Sequence, residues 1–144
     1  MLTLDQAMAI IAAARRRRRE LGSPPVAYAV VDNGGNLLCI AREEEAGFLR
    51  AAIALNKAWG CFALGLPSRT LRDQVKGWES WFVGIQGAAA GRLVPVLGGV
   101  FIRDSDGVAI GAVGVAGAAG DVDEALAVHG IEAIGLKADS GSTP

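Results

Sequence analysis

The chain is poor in the side chains that most chemistry uses. Of 144 residues, two are cysteine, one is histidine and one is tyrosine, and aromatics make up only 6%. Cys39 and Cys61 stand far apart, with no CxxC or metal-ligand spacing, which argues against a zinc site or a disulfide framework and for two reduced, buried thiols in a cytoplasmic protein. Charge of either sign is not in excess: the net value is −1, which speaks against a general nucleic-acid binder. Long hydrophobic runs are missing too. Gly, Arg or Asn interrupts every apolar stretch well before 18 residues, so no membrane span is expected, and no basic start followed by an apolar run suggests a signal peptide. No GxGxxG, Walker A or nucleophile-elbow pattern is present.

What the chain has is apolar bulk and glycine. Hydrophobic residues reach 51%, charged residues only 20%, and mean hydropathy is +0.35. A domain of this length that carries such an excess most simply hides it between subunits, so a homo-oligomer is expected. Twenty glycines are spread through the chain, and four recur at every third position: Gly111, Gly114, Gly117 and Gly120.

Patterning suggests alternating helices and hairpins. Residues 3–22 read as a helix, opened by a Thr3–Gln6 capping box and closed by Gly22, with Leu4, Met8 and Ile11 on one face. Its last turns carry Arg15 to Arg19, which suit the negative end of the helix or an anionic partner. Two apolar runs flank the turn D-N-G-G at 32–35 and predict a hairpin covered on both sides. A long buried helix follows, with Glu43 to Glu45 at its start; one or two short helices occupy 68–82, and a loop 84–92. Two more strands surround the turn at 104–107, the first broken by Gly98 and Gly99. A last helix spans 121–134, with Asp121 and Glu124 at capping spacing. The expectation is a single α/β (α+β) domain over 1–137, an antiparallel sheet of about five strands flanked by helices, and a flexible tail over 138–144.

Glycine weakens a strand unless something must come close. Gly114 and Gly117 therefore mark a tight overlay by a helix, a second subunit or a ligand. Lys57 has Ile53, Ala54, Gly60 and Cys61 one helical turn away. A lysine on so apolar a face snorkels, pairs with a carboxylate or sits in a pocket. His129 shares a helical stripe with Val122, Leu126 and Ala133, and is either a packed core residue or a haem ligand or acid–base group. Trp59, Trp78 and Trp81 are core, interface or the wall of a site for a flat ligand. Tyr28 faces one side of a strand, and Arg69, Arg72 and Arg92 are candidate carboxylate clamps.

Five short motifs, "VDNGGNLL", "LNKAWGCFALGLPSRTL", "GGVFI", "GVAIGAVGVAG" and the following D-E with Gly130, resemble in order and spacing the GlcG/HbpS-like family, also called DUF336, over about residues 3–136. The chain departs from the family pattern at Ala116, Ala119, Asp121 and Val122, and keeps Lys57, Asp123, Glu124 and Gly130. The resemblance implies an antiparallel sheet with flanking helices, homo-oligomers from dimers to octamers, and haem or a related tetrapyrrole as ligand in some members. On that basis Lys57 pairs with Asp123 or Glu124 at a small-molecule site, approached through Gly114 and Gly117 and walled by Trp59, Trp78, Trp81 and Tyr28, with His129 as metal ligand only if haem binds. A cofactor-free isomerase, hydratase or lyase that uses Lys57, Asp123, Glu124 and His129 is the second reading. A ligand-free scaffold is the third.

Overall fold

A hairpin starts the sheet. In a computed structural model, which describes residues 1–142, β1 (Ala27–Asp32) turns back into β2 (Leu37–Arg42). Asp32 closes the turn, its Oδ1 accepting from the N–H of Gly34 at 2.8 Å and of Asn36 at 2.9 Å, which holds its carboxyl below the ordinary range. Helix α1 (Leu4–Leu21) precedes it; α2 (Leu49–Leu64), α3 (Ser68–Val75) and α4 (Glu79–Ala88) follow. The chain then forms β3 (Gly99–Arg103), β4 (Ala109–Ala116), α5 (Gly120–Glu132) and β5 (Lys137–Asp139). All pairings are antiparallel, in the order β2-β1-β4-β3-β5. This is a single α+β domain.

The two sheet faces differ in side-chain size, and that difference sets the layers. Val26, Tyr28, Val30, Val100, Ile102, Val113 and Val115 pack against Ile10 and Ala14 of α1 and Leu126 and Ile131 of α5. The opposite face offers Ala27, Ala29, Ala112 and Ala116, and α2 lies on it through Ala54 and Ala58. At the centre of that face is Gly114, where a Cβ would overlap the Ala54 carbonyl oxygen and come within 2.9 Å of the Ala58 nitrogen. Gly117, at φ +144°, would meet the Pro25 oxygen at 2.7 Å and the Val26 Cα at 2.9 Å. The space beside both glycines is filled by this chain's own backbone, that of α2 at Gly114 and that of the Pro25–Val26 segment at Gly117, and not by open room for a ligand.

Several expectations shift by an element. The capping box is present, Thr3 Oγ1 accepting from the Gln6 N–H at 3.1 Å, and Gly22 closes α1 at φ 63°. Its buried face, however, is Ala7, Ile10, Ile11, Ala13 and Ala14, while Leu4 and Met8 stay about half exposed. Apolar residues ring this helix, so periodicity could not choose the side. Strand β2 is a sheet edge with Leu37 and Ile40 exposed, so of the two hairpin strands only β1 is covered on both faces. Glu43 to Glu45 do not begin a helix: α2 starts at Leu49, after Gly47. Helix α4 runs into the expected loop at 84–92. The tail assignment is corrected as well. Ala138 and Asp139 belong to β5, paired with Ile102 and Phe101, and Arg103 Nη2 grips Asp139 Oδ2 at 2.8 Å. Ser140 is buried beyond it. Residues 143–144 of that tail lie outside the described residues.

Replacing Gly114 with Ala should cost about 3 kcal/mol or more, the upper end for overpacking, because backbone on both sides blocks relaxation. Urea unfolding would check this; an unchanged midpoint means that α2 does not rest on β4 as described.

Candidate functional site

Helix α2 carries Lys57 on the face turned to the sheet, and α5 begins beyond the far end of β4 with Asp123 on its inner side. The two meet there. Lys57 Nζ lies 3.2 Å from Asp123 Oδ2 and donates to the Val115 carbonyl oxygen at 2.9 Å. Asp123 Oδ1 accepts from the Ala118 N–H at 3.0 Å, so the side chain also caps the turn into α5, a role the sequence suggested for Asp121. Only 3% of Lys57 and 2% of Asp123 is exposed. Gly98 closes over the ammonium; a Cβ there would stand 2.9 Å from Nζ. Burial pushes the Lys57 pKa down and the Asp123 pKa up, and in each case the partner's charge opposes the shift. An apolar helix face tolerates the lysine because its charge is matched, not because it snorkels.

Glu124 is not part of this pair. Arg69 of α3 clamps it through both oxygens, Nη2–Oε1 at 2.7 Å and Nε–Oε2 at 3.1 Å. That hydrogen bonding raises the Arg69 pKa further. Arg69, a candidate carboxylate clamp in the sequence, thus clamps a carboxylate of its own chain.

His129 is not a core residue. It is exposed on the last turn of α5 and lines a groove of about 560 Å³ with Arg17, Leu21, Glu124, Ala125 and Val128. The tryptophans do not form one wall. Trp59 stacks under the Arg92 guanidinium, 3.9 Å from the ring centroid, and lines a cleft with Ile85 and Leu93. Trp78 and Trp81 meet edge to face at 6.3 Å beside Asp73 and Lys76. Tyr28 is wholly buried under a separate cleft between α1 and β2. Lys57 and Asp123, Glu124 and His129 therefore do not make one acid–base constellation: the pair is sealed, Glu124 is spent on Arg69, and only His129 is open.

One cluster escaped sequence reasoning. Glu43 Oε1 accepts from Arg18 Nε at 3.0 Å, Glu43 Oε2 accepts from the Val26 N–H at 2.9 Å, and Arg15 Nε stands 3.6 Å from Oε1. Part of the arginine run thus answers the acidic triplet at 43–45 across the α1–β1 connection. The opposite charges of the two runs were the only signal. Among the described residues no three His, Cys, Asp or Glu side chains cluster as a metal site, and Cys39 and Cys61 are free thiols.

Comparison with known proteins places this geometry. The family described as haem degrading protein HbpS-like matches residues 2–132. The 15.0 kDa protein of the dhaT–dhaS intergenic region of Citrobacter freundii is 36% identical over 103 residues, 72% of this chain and 71% of that protein. The crystal structure of the Klebsiella pneumoniae protein ORFY superposes with a TM-score of 0.82 at 32% identity, covering 91% of this chain and 88% of that one. The crystal structure of a PduOC–heme complex does so at 0.83 and 27% identity, covering 94% and 96%.

Lys57→Met should lower stability by about 3–5 kcal/mol, because it strands a buried carboxylate. The double variant with Asp123→Asn should be no worse than Lys57→Met alone. Additive losses in a denaturant double-mutant cycle would show that the two charges are not coupled.

Proposed function

Because the chain belongs to the HbpS-like family, we propose that it is a small-molecule-binding protein whose leading ligand is haem or another tetrapyrrole, held in the groove of His129. The observation that carries this reading is the exposed imidazole itself. It is the single histidine, it stands free on the outer side of α5, and it has apolar neighbours in Leu21, Ala125 and Val128. Haem needs one axial donor and an apolar surface for its face, and an anchoring cation suits its carboxylates. Arg17, 43% exposed at the same groove, pairs with Glu20 at 3.2 Å through Nη1, and its remaining guanidinium N–H groups are the donors a haem carboxylate would meet. The residues present fit the group at the level of donor and surface. Bound haem supplies an iron for ligand binding and electron transfer; the chain supplies the nitrogen donor and the apolar bed.

The fold shared with the PduOC–heme complex supports this choice of ligand. The enzymatic alternative draws less support, since its four proposed groups do not converge: Lys57 and Asp123 are sealed inside, while Glu124 and His129 line the groove. Among the described residues no helix is long and apolar enough to cross a membrane, and the free thiols suit the cytoplasm.

Added haemin should give a shifted Soret band, and His129→Ala should weaken it markedly. An unchanged haemin spectrum with the wild-type chain would remove the haem reading; a band indifferent to the substitution would remove His129 as the ligand.

A homo-oligomer, between dimer and octamer, is the second part of the proposal. Helix α4 buries none of its side chains fully, and Phe48, Leu49, Trp78 and Val83 are 87%, 60%, 66% and 72% exposed. So much open apolar surface needs a cover. Light scattering at micromolar concentration should report a multiple of the 14.8 kDa chain mass, and Trp78→Glu with Val83→Glu should reduce it. A monomeric wild type would refute this.

A further inference from the structure

Tyr28 is the chain's one tyrosine. It projects from β1 toward α1, fully buried, and its hydroxyl finds no acceptor among the described residues; the Arg18 guanidinium beside it can only donate. A buried donor left unmet is costly, and native structures rarely keep one without a reason. The nearby carboxylate is committed elsewhere: Glu43 accepts from Arg18 and from the Val26 N–H. Arg42 is occupied too, donating through one nitrogen to the carbonyls of Glu43, Glu44 and Ala46. Arg15 differs. It stands 3.6 Å from Glu43, longer than a hydrogen bond, and is 42% exposed.

Tyr28 and Arg15 line the same cleft, about 390 Å³, between α1 and β2. Its walls are Met8, Ile11, Cys39 and Ala41. We infer that this cleft binds a small apolar monocarboxylate: the ring or alkyl body lies between those four side chains, and the carboxylate accepts from the Tyr28 hydroxyl and pairs with Arg15. Burial, with the Glu43 charge second, pushes the Tyr28 pKa up to about 12, so the phenol stays a donor at neutral pH. Glu43 and Glu44 also line the cleft; Arg18 offsets the charge of Glu43 at 2.9 Å, and Glu44 disfavours a second negative charge on the ligand. Met8, 54% exposed, is the flexible side chain that can swing to admit the ligand. The site shares no lining residue with the His129 groove and does not depend on haem.

The probe is 3-phenylpropanoate, with 3-phenylpropan-1-ol as the uncharged comparison and phenylsuccinate as the dianion, followed by calorimetry and amide NMR on the full chain. The monoacid should bind best of the three and move amide signals of α1 and β2. Tyr28→Phe should weaken it about three- to tenfold while leaving the thermal midpoint unchanged or higher, since an unmet hydroxyl is removed. Arg15→Gln should abolish the preference for acid over alcohol. Met8→Trp, which fills the cleft with Tyr28 intact, should abolish binding, and His129→Ala should leave it intact, which separates this site from the haem groove. The inference is overturned by no binding at about 1 mM, by equal binding of acid and alcohol, by a Met8→Trp variant that binds normally, or by a Tyr28→Phe variant of lowered thermal midpoint.

Discussion

A buried ion pair between two layers organises this molecule. Lys57 belongs to the helix on the alanine and glycine face, and Asp123 to a helix on the valine and isoleucine face. Their contact passes the end of β4, where Lys57 also holds the Val115 carbonyl. Three layers are thereby fixed relative to one another at one point. The position demands much of its neighbours. Both charges are desolvated, so each needs the other and its backbone partner. Gly98 must lack a side chain to pass over the ammonium, and Ala118 must offer its N–H to the second carboxylate oxygen. The turn from β4 into α5 is thus determined by charge as much as by apolar packing.

That arrangement also separates stability from binding. Lys57 and Asp123, two of the four groups that could have served acid–base chemistry, are locked inside, where they hold the architecture. Open surface is left to His129, to the cleft above Tyr28 and to the apolar flank of α4. A small domain that places its costly polar contacts in the interior can vary its exterior for different ligands without disturbing the layers.

Much of this was legible in the sequence where the signal is local. The D-N-G-G turn, the Thr3–Gln6 box and the Gly22 stop each depend on neighbours within a few residues, and each formed as read. The five-strand antiparallel sheet with flanking helices also followed from these local units and from the family resemblance. Lys57 was legible as a residue that needed a partner, because four apolar residues surround it on one turn. The choice between Asp123 and Glu124 was not, since adjacent helical residues differ by about 100° and only the rotation of α5 against α1 decides which points inward. Glu43 illustrates the same limit. Its partners Arg18 and Val26 are 25 and 17 residues away, and no spacing rule connects a loop acid to a helix that precedes it. Gly114 of β4 was read correctly as a mark of close approach, and of the helix, subunit or ligand that could come near it, the approaching body is the chain's own α2.

The sheet order carries a consequence for how the chain comes to be folded. Strand β1, complete by residue 32, has one neighbour at hand in β2, but its other is β4, which ends at residue 116. During synthesis the hairpin therefore waits, one backbone edge of β1 unpaired, while three helices and β3 are made. Closing so long a loop is slow, and an open strand edge meanwhile invites other chains. The alanine-rich face of β1 is weakly adhesive, which makes the wait safer, and α2 is the first later element that can cover it. Assembly of this domain is then governed by the arrival of a strand near the C-terminal end, with the N-terminal hairpin held in reserve until it comes.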